Sequence, residues 1–245
     1  MRAGLTLSSR AFRPAPGGIL IIAPHADDET LGCGGLIAAQ ARAGQPIDIV
    51  FLTDSAASHP GHPRLSPTEL GRRRHDEAVA AAAVLGVRAE RLHFLNLPDS
   101  TLDKLPAERR RDTVARLTDF IRTLRPVGVF APYRAGGSTE HTAAFDVAAE
   151  ALAAAGGGTL LEYPIWAWSY PPRLLPRLGH PEGNFRFALG ALRAVKMRAL
   201  ACHRSQIEPT APWVQPVLPP SLSRACCGPR EFFFSRTVPG HGSRS

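Results

Sequence analysis

The 245-residue sequence predicts an α/β protein, a Rossmann-like three-layer sandwich with a mostly parallel sheet and its site at the carboxyl ends of the strands. Three observations predict it. Short, branched apolar runs alternate along the chain with segments whose apolar spacing suits helices. The runs show no polar alternation, as expected of parallel strands covered on both faces. The first of them, Ile19 to Ala23, stops at Pro24 and is followed at once by His25, Asp27, Asp28 and Glu29.

In order, residues 1–18 read as an irregular leader interrupted by Pro14 and Pro16, and 19–23 as a strand. Thr30 to Ala43 has helical spacing, with Gly44 as its stop. Ile47 to Thr53 is a second strand, and the proline-rich loop over 55–67 forms a site rim. A helix is predicted from Pro67 to Leu85, stopped by Gly86. A strand follows over Arg91 to Leu95, then a helix over Glu108 to Leu124 and a strand over Val127 to Ala131. After PYRAGGSTE come a helix from His141 to Ala154 and a strand from Thr159 to Glu162. Residues 163–235 are less regular: a helix over 185–203 and a late edge strand in REFFFSRTV are expected, with 236–245 as a frayed tail. The reading is thus one domain over 19–235, whose last part supplies the substrate rim.

The chain's formal charge of +8 is almost all arginine, since Lys104 and Lys196 are its two lysines. Those arginines are scattered rather than gathered into a stripe, so nucleic acid is not an expected partner. No run approaches the roughly 18 apolar residues needed to span a bilayer. Cys33, Cys202, Cys226 and Cys227 form no C-x-x-C and no evident disulfide framework, which suits a reducing, cytoplasmic setting.

His25 and Asp28, three residues apart on a tight loop, can reach one cation. A catalytic zinc takes such a mixture of imidazole and carboxylate, with three protein ligands and one open position. The third ligand should come from a neighbouring strand end, and His141 is best placed among the histidines. Asp27 is then left over beside the water position, suited to act as general base and acid in the hydrolysis of an amide or ester. The opposing reading makes HADDE a solvated acidic helix start. Three acids and a histidine crowded at a strand end would repel one another unless neutralised, which favours the cation. Gly32, Gly34 and Gly35 do not make a dinucleotide site, because the acidic PHADDE would repel a pyrophosphate where the fingerprint belongs. They read instead as positions of close helix–sheet packing. No G-x-S-x-G is present, which disfavours a serine hydrolase.

PHADDETLGCGG resembles the signature of the PIG-L/LmbE-like N-deacetylases, zinc-dependent enzymes acting on N-acetylglucosamine conjugates and related metabolites. The resemblance continues through RHDEAVAAAAVLGV (74–87), FLNLPDSTL (94–102), STEHTAAF (138–145), EYPIW (162–166) and KMRALACHRSQ (196–206). It implies His25, Asp28 and His141 as zinc ligands, Asp27 as the catalytic base, and Arg74 and Asp99 as residues gripping the sugar. Iron or cobalt would also suit such a ligand set. Two departures stand out. Ala26 replaces the proline of the family's His-Pro-Asp-Asp-Glu, and Ser138 replaces the first histidine of its His-Pro-Asp-His. The loss of that donor to the tetrahedral intermediate would cost on the order of 3 kcal/mol unless another group serves. His59, His62 or a loop arginine are the candidates, with Ser138 itself offering one hydrogen bond.

Trp166, Trp168 and Tyr170 alternate, so a strand would put all three on one face as a substrate rim, with Trp166 foremost. Arg72 to Arg74 and Arg134 could meet an anionic group of the substrate. The resulting expectation is removal of an N-acetyl group from an N-acetylglucosamine-type conjugate. A deacylase of a secondary metabolite such as an antibiotic intermediate is the alternative, and a non-catalytic carbohydrate or partner binder the second. A homo-oligomer built through the C-terminal segment is as compatible with the sequence as a monomer.

Overall fold

The computed structural model describes residues 9–170, 179 and 182–241. Among the described residues eight strands form one sheet: β1 (Arg10–Ala11), β2 (Ile19–Ala23), β3 (Ile47–Thr53), β4 (Leu92–Leu97), β5 (Gly128–Pro132), β6 (Gly157–Tyr163), β7 (Asn184–Ala188) and β8 (Arg230–Pro239). Their order is β1-β7-β8-β6-β5-β2-β3-β4. The stretch from β6 to β4 is parallel throughout, and β8 runs antiparallel to both of its neighbours. The helices are α1 (Asp28–Arg42), α2 (Pro67–Leu85), α3 (Ala107–Leu124), α4 (Thr139–Ala154), α5 (Leu192–Leu200), α6 (Arg204–Ile207) and α7 (Pro220–Cys226). One core packs α1, α2 and α5 on one face of the sheet, and a second packs α3 and α4 on the other. The three-layer expectation holds.

β2 lies between β3 and β5, the point where the strand order reverses. A crevice opens at such a switch point beyond the carboxyl ends of the strands. The loops after β2 and β5 therefore meet there, which decides where the site is. The two strands run in register, Ile19 opposite Gly128 and Ile21 opposite Phe130.

The glycine run of α1 has a specific geometric cause in close approach. A Cβ on Gly32 would lie 2.2 Å from the Tyr163 ring, and one on Gly35 2.0 Å from Leu189. Behind them a fully buried ion pair meets the middle of the helix. Lys196 Nζ donates to Leu31 O and to Glu231 Oε1, both at 2.7 Å. Glu231 in turn accepts the N–H groups of Gly35 (2.7 Å) and Leu36 (2.9 Å). Burial opposes the Lys196 charge, but Glu231 outweighs it and raises its pKa. The pair ties α1 to α5 and β8.

Strands β2 and β3 and helix α2 match their sequence bounds, and Gly86 closes α2 at φ 90. Four expectations are corrected. The first half of the 185–203 helix is strand β7, because Phe185 and Phe187 alternate in register with β8; helical structure starts at Leu192. β8 is not an edge strand, since β6 and β7 pair on its two sides, and it continues through Pro239 into the expected tail. The leader contributes β1, which pairs with β7. The WAWSY stretch is a 3-10 turn over Trp166–Ser169, not a strand, so its rings diverge. The proline-rich residues after Tyr170 lie outside the described residues, as do residues 1–8 and 242–245. Among the described residues no helix is long and apolar enough to cross a membrane.

Lys196→Met should destabilise the protein by about 3–5 kcal/mol, since it leaves Glu231 buried without its cation. Urea denaturation of wild type and variant checks this, and a loss below about 1 kcal/mol would contradict the assigned role.

Candidate metal and hydrolytic site

The site is built where three consecutive carboxylates, Asp27, Asp28 and Glu29, are buried together. Each meets a different cationic or imidazole partner. Asp27 is the N-cap of α1, at φ 143, a conformation costly for a residue with a side chain. Its N–H donates to Glu29 Oε2 at 3.0 Å, which helps hold the turn. Arg74 of α2 places Nη2 3.3 Å from Asp27 Oδ2 while donating to Ala26 O at 2.7 Å. Nη1 of the same guanidinium donates to Ser55 O at 3.2 Å. Burial pushes the Asp27 carboxyl up to about 6, against the pull of Arg74.

Asp28 faces two imidazoles. Its Oδ2 lies 3.1 Å from His25 Nδ1 and also accepts the His25 backbone N–H at 3.1 Å. Its Oδ1 lies 3.3 Å from His141 Nε2, which α4 brings in from beyond β5. Burial works to raise the Asp28 pKa, but His141 and His25 outweigh it and hold the carboxyl below the usual range. Ligand atoms of His25, Asp28 and His141 all lie within 4.8 Å of one another. His141 Nε2 is buried without a hydrogen-bond partner of acceptable geometry. An orphaned buried nitrogen beside an ionised carboxylate and a second imidazole is the donor set a divalent cation completes. The residues present fit such an ion.

The other ring nitrogen of His25 is also engaged. Nε2 lies 3.1 Å from Asp99 Oδ1 and 3.3 Å from Glu140 Oε2. Those acids are anchored in turn: Asp99 Oδ2 accepts the Ala57 N–H at 2.8 Å, and Glu140 Oε1 accepts the Leu102 N–H at 2.6 Å. A carboxylate on the far nitrogen orients a ligating imidazole. Burial opposes the charge on His25, but Asp28, Asp99 and Glu140 outweigh it and raise its pKa well above the ordinary value. Asp99 falls to about 2: burial works against this, and His25 and the Ala57 N–H overcome it.

Glu29, fully buried, lies 3.3 Å from His203 Nε2 and accepts the Thr30 hydroxyl at 2.5 Å. His203 sits just before α6. Burial opposes its charge and Glu29 overcomes that, raising its pKa.

A cavity of about 240 Å³ opens over this cluster. His25, Asp27, Asp28, Arg74, Asp99, Ser138 and Trp166 all line it, and His141 reaches the cluster from the first turn of α4. The expected ligands, base and sugar-gripping residues are thus brought together. Ser138 caps α4, its Oγ accepting the His141 N–H at 3.3 Å. Of the aromatic stretch, Trp166 alone lines the cavity. Trp168 packs on Phe232 with ring centroids 5.6 Å apart, and the Tyr170 hydroxyl donates to Ala135 O.

His59 and His62 do not line the cavity. They pack on Trp213, and His59 Nε2 lies 3.3 Å from the Thr210 hydroxyl, so neither replaces the family histidine. Of the arginines proposed for an anion, Arg74 lines the cavity beside Asp27, while Arg72 pairs with Asp76, Arg73 with Glu77 and Arg134 with Asp146. Sequence reasoning missed Glu140 and His203. Glu140 adjoins His141 but reads as an ordinary acid at a helix start, and His203 stands in KMRALACHRSQ with no local sign of Glu29.

A cation-capable cluster at the switch point of a parallel sheet, with a spare carboxylate beside it, defines a metal-dependent hydrolase class of site. Comparison with known proteins narrows this. Residues 20–152 match the family model PIG-L, described as GlcNAc-PI de-N-acetylase, and the chain belongs to that family. It is 28% identical over 197 residues to the diacetylchitobiose deacetylase of Thermococcus kodakarensis, covering 77% of this chain and 69% of that protein. It is 27% identical over 169 residues to the 1D-myo-inositol 2-acetamido-2-deoxy-alpha-D-glucopyranoside deacetylase of Kineococcus radiotolerans, covering 58% of this chain and 46% of that one. Among solved structures, the conserved protein TT1542 from Thermus thermophilus superposes with a TM-score of 0.64 at 26% identity, covering 93% of this chain and 98% of that one.

Zinc added to metal-stripped protein should raise Tm, as a ligand present at 100 times its Kd stabilises by about 2.7 kcal/mol. His141→Ala should abolish both that rise and zinc retention through dialysis. A full rise in the variant would show that His141 is not a ligand.

Proposed function

We propose that this protein is a metal-dependent hydrolase that removes an N-acetyl group from an N-acetylglucosamine-type conjugate. The observation that carries the reading is that ligand atoms of His25, Asp28 and His141 lie within 4.8 Å of one another, close enough to share one ion, with Asp27 beside them. His25, Asp28 and His141 would hold the cation. Zinc is the natural choice, with iron or cobalt compatible with the same donors. Such a cation, when bound, supplies a Lewis acid for the acetyl carbonyl and a water of lowered pKa.

Asp27 takes the proton from the attacking water and delivers it to the departing amine nitrogen. Its burial and raised pKa suit both directions of transfer, and Arg74 holds Oδ2 in place. Asp99 and Arg74 present polar atoms to the sugar while positioning His25 and the Asp27 turn, and Trp166 offers a ring for the apolar sugar face. Ser138 replaces the family histidine without supplying its positive charge, its Oγ already accepting from the helix. The C-terminal part of the chain closes the rim, with Gln206 and Leu218 joining Trp166 in the cavity wall. This supports treating the chain as a single deacetylase-like domain. The four free cysteines are consistent with a reducing, cytoplasmic setting.

Acetate release from N-acetylglucosamine conjugates by the zinc-loaded protein tests the reading. Asp27→Asn should retain zinc and lose roughly 10²–10⁴-fold in kcat, the usual contribution of general acid–base catalysis. Unchanged turnover would remove Asp27 from the role, and no release from any conjugate by the wild type would remove the activity.

A further inference from the structure

The catalytic cavity is small. Its volume of about 240 Å³ lies below the roughly 300–1,000 Å³ of most small-molecule sites, so a sugar ring with its acetamido group nearly fills it. A larger cavity of about 680 Å³ adjoins it, between the α3 side of the fold and the first turns of α4. Ser138, a residue of small side chain, is part of the wall of both cavities.

The lining of the larger cavity indicates its occupant. Leu102, Leu105, Ala143, Val147 and the Tyr170 ring supply its apolar lining; Thr139 and Thr142 line it too, and the Thr142 hydroxyl already donates to Arg134 O at 2.9 Å. Two arginines border it, but both carry acid partners: Arg134 Nε lies 2.8 Å from Asp146 Oδ1, and Arg110 Nη1 2.6 Å from Glu150 Oε2. Asp103 lies on the same wall. Each guanidinium already has a carboxylate beside it, so the local charge is balanced and offers an added anion little net attraction.

We infer that this groove is the aglycone subsite and that the substrate is an amino-sugar conjugate whose aglycone is apolar, an alkyl, acyl or aryl group, rather than a charged one or a second sugar. The inference rests on the proposed deacetylation for the position of the sugar and on the shared Ser138 wall for the direction of the aglycone. Apolar area is removed from water as the chain of the aglycone fills the groove, and affinity rises with its length.

The test uses zinc-loaded Asp27→Asn protein, which leaves substrate unconsumed, and calorimetric titration with the methyl, hexyl and octyl β-glycosides of N-acetylglucosamine and with its β-linked disaccharide. The octyl glycoside should bind at least tenfold more tightly than the methyl glycoside, and the disaccharide no more tightly than the hexyl. Ala143→Trp, which fills the groove, should remove the octyl advantage and leave methyl glycoside binding unchanged. Ala135→Trp at the rim serves the same purpose should the first variant fail to fold. Equal affinity for methyl and octyl glycosides, a preference for the disaccharide, or an octyl advantage that survives both tryptophans would overturn the inference. Acetate release by the wild type from the same glycosides is scored separately, so that binding without turnover counts against the deacetylation and not against the groove.

Discussion

Three neighbouring carboxylates at the end of β2 have to be buried, and the rest of the site follows from how each is neutralised. An isolated buried charge is far too costly to keep, so every one must find a partner or give up its charge. Asp27 meets Arg74 of α2, Asp28 meets the imidazoles of His25 and His141, and Glu29 meets His203 before α6. The partners come from four separate parts of the chain. Satisfying them draws α2, α4 and the C-terminal segment around the end of one strand. The electrostatic requirement and the chemical site are the same object.

That arrangement needs α1 to begin tightly against the sheet, and two features press it there. Its glycines remove the side chains that would collide with Tyr163 and Leu189. The buried Lys196–Glu231 pair then engages backbone groups of Leu31, Gly35 and Leu36 directly. The strained turn at Asp27 is held from both sides, by Glu29 on its N–H and by Arg74 on the adjoining Ala26 carbonyl. In the proposed reaction, preorganisation of this kind keeps the base aimed at its reactant without reorganisation.

Ser138 has two consequences. As the N-cap of α4 it presents the helix turn that carries His141, a task a serine performs well. It also lines both the cavity over the acid cluster and a larger one beside it. A position that reads in sequence as the loss of a catalytic helper is, in three dimensions, also a lining residue of two cavities.

Local patterns carried much of this in the sequence itself. Branched apolar runs and glycine stops marked β2, β3 and α2 to the residue, because buried parallel strands and capped helices have strong local signatures. PHADDE announced the acid cluster, and STEH placed His141 at the following helix start, which together gave the candidate ligand set and the candidate base. What only the tertiary structure decided were features that depend on a distant partner. NFRFA became strand β7 because β8 offered it a pairing edge, and β8 became interior because two strands bound it. Glu140 and His203 acquired meaning only when folding brought them to His25 and Glu29. WAWSY turned instead of extending, sending Trp166 alone to the cavity. Short-range sterics and hydrophobic spacing are written along the chain. The neutralisation of a buried charge, and the lining of a cavity, depend on groups far apart in sequence that only a folded chain sets side by side.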